Sequence, residues 1–188
     1  YEMCMKGWAH EFEMDRQGLL EARRCFLKAV KLDSRLAQAH TGLTGTHFFE
    51  AMHNWSPDQK QSMAEALGAA QRAVGIDEAD AAAHAWLSFI SLFSQPPRLD
   101  VALAEAERVV ELSPNSAVAR WTRGLAYCYT ERPKDGAEEL KMALRLSPRD
   151  WYRFVWLHVL AVCEYTARNY TAAAETATKL VALRPEYF

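Results

Sequence analysis

The sequence predicts an all-α protein of about five helix–turn–helix units, some ten helices in all, and three observations predict it. First, the tripeptide Leu112-Ser113-Pro114 returns as Leu146-Ser147-Pro148, 34 residues later. Second, an apolar residue closes a helical pattern at Leu32, Ile76, Leu112, Leu146 and Leu183, with gaps of 44, 36, 34 and 37 residues. Third, small apolar residues recur at helical spacing ahead of each of those marks, as in Ala102, Ala106 and Val109. A period of this size marks an array of stacked units that cannot bury their apolar faces alone.

The units run 1–34, 35–78, 79–114, 115–148 and 149–188. In the first, Gly7 sits in the opening helix, Asp15 and Gly18 mark the turn, and Ala22, Phe26 and Ala29 form one stripe. The second opens at Ala37 with a long helix and about ten extra residues ending in Asn54-Trp55-Ser56-Pro57-Asp58-Gln59. Ser56, Pro57 and Gln59 read as N-cap, N1 and N3, so a helix is expected to restart at Ser56. Its stripe is Ala66, Ala70 and Ala73. The third unit has a bulky first helix through Trp86, Phe89 and Phe93, broken by Gln95-Pro96-Pro97. The fourth has the unmodified spacing: a helix over 117–130 with Gly124 and Tyr127, then one over 136–146 with Ala137, Leu140 and Ala143 inward. Gly124 and Ala143 allow close helix approach, and Asp135 with Glu138 is a candidate capping box. The fifth carries a helix over 151–167, a turn at Arg168-Asn169-Tyr170, and a stripe of Ala173, Ala177 and Leu180.

A 34-residue helix–turn–helix with a small residue in the first helix, an Ala-rich second helix and a closing Pro resembles the tetratricopeptide repeat (TPR). The resemblance implies a right-handed superhelix and a role in protein interaction. In TPR arrays the first helix of each unit lines a groove at fixed motif positions. Carried over by register, these are Phe48 and Phe49; Phe89, Leu92 and Phe93; Trp121, Leu125 and Tyr129; and Tyr152, Val155 and Val159. Such a surface is apolar and aromatic. It fits either mutual burial in a tight superhelix or docking of an apolar peptide or another domain of the same chain. A small-ligand pocket is a third reading. Arg120 and Arg123, i and i+3 on a helix, break the apolar pattern. Their stems are expected to pack while their heads pair with Glu107 or Glu111; the functional alternative is an anion-recognition pair.

Composition bounds the function. The net charge is −2, with 22 basic and 24 acidic residues, so no bulk attraction to nucleic acid is implied. No apolar run approaches the roughly 20 residues of a membrane span. The four cysteines form no CxxC and read as apolar fillers of a reduced, cytoplasmic protein. With no initiator Met, no signal-peptide pattern and no polar cap on the last helix, the chain is read as part of a longer protein.

No GxSxG, P-loop or GxGxxG is present, so the segment is read as non-catalytic and without a cofactor. The one metal cue is the ExxH of Glu50 and His53, with His47 upstream. A di-iron bundle needs two such motifs and further carboxylates, so an ordinary helix face is the simpler expectation. His40 and His47 share a helix face about 10 Å apart along the axis, too far to chelate one ion together. His40 and His84, at equivalent places in units two and three, read as packing residues.

The segments LDSRLAQAHTGLTGTHF, NWSPDQ, LSPNSAVARWTRGLAY, LSPRD and ALRPEY resemble the C-terminal TPR region of bacterial class III adenylate/guanylate cyclases. Similar regions follow winged-helix regulators. The resemblance implies a regulatory or recruiting module of a cyclic-nucleotide signalling protein whose catalysis lies elsewhere. It carries no cyclase catalytic residue onto this chain, and it names neither the partner nor the oligomeric state.

Overall fold

The computed structural model describes residues 1–13 and 15–185. Ten α-helices follow one another in pairs: α1 (Glu2–Glu11) and α2 (Arg16–Leu32), α3 (Ala37–Met52) and α4 (Gln59–Ile76), α5 (Ala81–Phe93) and α6 (Leu99–Leu112), α7 (Ala117–Tyr129) and α8 (Pro133–Leu146), α9 (Arg153–Thr166) and α10 (Tyr170–Leu183). No strand occurs among the described residues. The second helix of each pair stops at the register residue expected for it: Leu32, Ile76, Leu112, Leu146 and Leu183. The chain forms two compact units, Tyr1–Arg98 and Leu99–Phe188.

In the first unit, α3 is the central element and packs against α1, α2, α4 and α5. Eleven of its sixteen residues are buried, which explains why it lacks a polar face. Phe26 of α2 is fully buried and enters a space that Gly7 and Gly42 leave open. A Cβ on Gly7 would stand 2.6 Å from the Phe26 ring, and one on Gly42 would collide with it. Trp8 closes this cluster edge-on, with ring centroids 4.9 Å apart. A second cluster joins α3, α4 and α5 through Phe48, Ala66 and Ile90. The expected stripes of α2 and α4 are buried, from Ala22 through Ala73.

The second unit is built on α7, α8 and α9, with Ala137, Leu140, Leu160 and Cys163 at its centre. Gly124 marks a close helix approach as expected, and the backbone it meets on α8 is that of Gly136. A Cβ on Gly124 would lie 2.8 Å from Leu140 Cγ and 3.1 Å from the Gly136 carbonyl, and one on Gly136 would lie 2.8 Å from the Gly124 carbonyl. Two backbones touch here, so neither can yield by turning a side chain. Gly124→Leu is therefore expected to cost roughly 1–3 kcal/mol by overpacking. An unchanged melting midpoint would show that α7 and α8 do not cross at this point. On α10, Ala173 and Leu180 are buried as expected, while Thr176 replaces Ala177 as the middle residue of the stripe.

Two helix starts differ from those expected. α4 begins at Gln59, not Ser56: Asp58 is the N-cap and accepts from the Gln61 amide at 3.0 Å. Ser56 instead accepts from the Asp58 amide at 3.1 Å, folding the turn that precedes the helix. The Asp135–Glu138 capping box does not form. Pro133 occupies the first turn of α8, so the helix starts earlier, and Asp135 pairs with Arg132 at 2.9 Å. Pro is preorganised for that position and has no N–H to satisfy. Gly18 lies within the first turn of α2, where its amide donates to the cap Asp15 at 2.7 Å.

Three of the inter-helix turns share one geometry. Asn54, Glu131 and Arg168 have positive φ, at 57°, 62° and 62°. The following amides, of Trp55, Arg132 and Asn169, donate back to the carbonyls of Glu50, Tyr127 and Glu164 at 3.0, 3.0 and 2.8 Å. This is the Schellman closure of a helix C-terminus. Glycine usually fills the left-handed position, and its absence here removes the sequence signal.

Candidate functional site

The first helices α1, α3 and α5 lie side by side in the first unit and bring the groove-position aromatics of α3 and α5 together. Phe48 is buried, whereas Phe49, Phe89 and Phe93 are half-buried. Phe48 meets Phe89 edge-on at 4.8 Å, and Phe89 meets Phe93 at 4.9 Å. Trp86, which the register did not select, joins them, 6.2 Å from Phe49 and 5.9 Å from Phe89. Leu92 is buried. These rings support one another and still present part of their surface.

A hollow of about 530 Å³ adjoins this cluster between the end of α3, the start of α4 and the end of α5. Met52, Met63, Leu67 and Phe93 wall it, with Lys60 and Gln95 as polar groups. Methionine and phenylalanine make such a wall apolar and adaptable.

In the second unit the expected residues separate by burial. Leu125 is buried, Trp121 packs against the central cluster, and Tyr129 is 46% exposed. Tyr152, Val155 and Val159 are half-buried. Arg120 and Arg123 are paired, but not with Glu107 or Glu111. Both reach Glu139 of α8, at 3.3 and 2.5 Å. The α7–α8 crossing at Gly124 and Gly136 brings Glu139 beneath them, while Glu111 takes Arg108 at 3.0 Å. Two guanidiniums on one carboxylate leave a local surplus of positive charge. Arg132, already paired with Asp135, lies over the Tyr127 ring at 3.9 Å.

The metal cue does not assemble. Glu50 is held by Arg23 at 2.6 Å. His53 donates from Nδ1 to the Phe49 carbonyl at 3.0 Å, and its ring stacks on Trp55 at 4.6 Å. His47 Nδ1 lies 3.1 Å from the Glu65 carboxylate, and burial followed by the nearby Arg23 pushes its pKa down. No three His, Cys, Asp or Glu among the described residues are placed to hold a metal ion. His40 and His84 play one structural part twice. Each donates from Nε2 to a carbonyl six residues back, Ser34 at 3.0 Å and Glu78 at 3.1 Å, tying the helix start to the preceding turn.

Sequence reasoning missed one charged group on this face. Glu11, at the end of α1, is only 9% exposed. Burial pushes its carboxyl up to about 8. Its Oε1 lies against the bare backbone of Gly45 on α3, and Trp86 Cζ2 stands 3.3 Å from where a Gly45 Cβ would be. Other acids held out of water carry a cation: Glu50 has Arg23, Glu139 has two arginines, and Glu164 has Lys141 at 3.5 Å with a hydrogen bond from Thr176 at 2.7 Å. A lone Glu at a helix end gives no sequence signal, because burial here comes from helices more than thirty residues away.

No family model and no curated protein matches the chain. Solved structures do. A thermophilic TPR protein of Thermus thermophilus shares 16% identity over 91% of this chain and 86% of its own, with a TM-score of 0.67. The pilF protein of Pseudomonas aeruginosa shares 18% over 97% of this chain and 74% of its own, also at 0.67. YrrB, described as a TPR protein with an unusual peptide-binding site, shares 19% over 91% and 80%, at 0.56. At these identities the likeness establishes the fold, which is that of tetratricopeptide repeats.

Proposed function

We propose that this chain is a non-catalytic protein-interaction module that binds a protein or peptide on the faces of its first helices. One observation carries this reading: Phe49, Trp86, Phe89 and Phe93 are braced by one another yet remain half-exposed, and Phe93 continues into an apolar hollow. Prearranged aromatic anchors beside a concavity are what recognition of apolar side chains requires. The peptide-binding site described for YrrB, a protein of the same fold, supports the same reading. Among the described residues no helix is long and apolar enough to cross a membrane. The candidate anchors are Phe49, Phe93, Trp121 and Tyr129. The sequence resemblance further supports a place as the regulatory region of a bacterial adenylate or guanylate cyclase.

Selection of displayed random peptides on the purified chain tests the reading. Enriched peptides should be rich in apolar side chains and should lose about tenfold or more in affinity on Phe93→Ala, as expected for an anchor. The same variant should keep its helical circular dichroism. Peptides that bind Phe93→Ala and Phe49→Ala as well as the native chain would place the working surface elsewhere.

A further inference from the structure

We propose that the Glu11–Gly45–Trp86 face of the first unit is a subsite for one basic side chain, the guanidinium or ammonium group of an arginine or lysine in a bound protein or peptide. The inference rests on the interaction-module reading and gives that partner a chemistry. Three observations support it.

First, Glu11 is a nearly buried carboxylate against which no cation of the described residues is set; burial alone acts on it. An ionised group in that position is costly unless a partner charge arrives. Second, Gly45 stands thirteen residues past the register mark Leu32, the place Phe89 holds after Ile76 and Leu125 holds after Leu112. Units three and four put a large side chain there. Unit two puts none, and any Cβ would strike the Glu11 carboxylate. The missing side chain leaves the acid and the indole flanking bare backbone. Third, the wall is aromatic: Trp86 meets Phe49 at 89° and Phe48 lies 6.0 Å from Trp86. A carboxyl beside an indole is a setting in which a desolvated cation gains ion pairing and, where it lies over the ring, cation–π attraction. The apolar hollow beyond Phe93 then takes neighbouring apolar side chains of the same partner.

The test is a nitrogen-15 NMR titration of the whole chain with N-acetyl-argininamide and, in parallel, N-acetyl-citrullinamide, its neutral isostere. The expected result is a saturable shift of the Gly45 amide and the Trp86 indole N–H with the arginine compound, with the citrulline compound about tenfold weaker or worse. Glu11→Gln should abolish the difference while keeping its fold, since glutamine keeps the shape of the side chain and cannot ionise to meet a cation. Equal shifts with both compounds, a preference that survives Glu11→Gln, or no shift at Gly45 with either would overturn the subsite. Any of these combined with a selected peptide that Phe93→Ala releases would overturn the subsite alone and leave the docking surface standing.

Discussion

Phe26→Ala is expected to destabilise the first unit by about 3–5 kcal/mol, the cost of a cavity left by a fully buried aromatic ring. Phe26 has no exposed surface, and its neighbours cannot move in to fill the space. Gly7 and Gly42 have no side chains to extend, and Trp8 is held edge-on at 4.9 Å. The adjacent Leu27 is 52% exposed, so Leu27→Ala removes similar chemistry from the solvent face and should change stability by about 0.5 kcal/mol or less. Urea titrations followed by circular dichroism compare the pair directly. A loss under about 1 kcal/mol for Phe26→Ala would mean that the helices close over the gap, against the backbone contacts at both glycines.

Glu11→Gln is expected to stabilise the protein in alkaline solution and to leave it unchanged in acid. The Glu11 carboxyl is raised from an ordinary 4.5 to about 8 by burial. Below pH 4.5 it is protonated in both the folded and the unfolded chain, and the folded state bears no penalty. Between pH 4.5 and 8 the unfolded chain ionises while the folded one resists, so native stability falls as pH rises. Above pH 8 the penalty is complete. Glutamine keeps the shape and cannot ionise, so the variant should exceed the native chain by roughly 4–5 kcal/mol at pH 8.5, several degrees of melting temperature, and match it at pH 4. A difference that is constant across that window would mean that the carboxylate is solvated in the folded state. This stability given up at neutral pH is the physical motive for assigning Glu11 a partner cation, as binding sites often retain groups that a folded core would discard.

The candidate surface is partly legible in the sequence. Register alone selects Phe49, Phe89 and Phe93, and all three stand half-exposed on one cluster. Register also selects Phe48, Leu92 and Leu125, which are buried. A motif position fixes the direction in which a side chain leaves its helix, but not how much of it the next helix covers. Trp86 escapes selection for the converse reason: it sits off the groove register, yet its indole spans to Phe49 and Gly45 on α3.

Periodicity along the chain dictates the helices and their order. The register residues Leu32, Ile76, Leu112, Leu146 and Leu183 end their helices, and the small-residue stripes of α2, α4, α6 and α8 are buried, because periodicity is a property of consecutive residues. It also marks Gly124 as a contact between helices. Which group each polar or small residue meets is settled by packing instead. Arg120 and Arg123 turn to Glu139 rather than Glu107 or Glu111, Gly124 meets Gly136, and Glu11 comes to lie on Gly45 without a cation among the described residues. The cause is the same in each case. These partners lie on different helices, and the crossing of two helices depends on the shapes of both surfaces, which no periodicity along one of them contains.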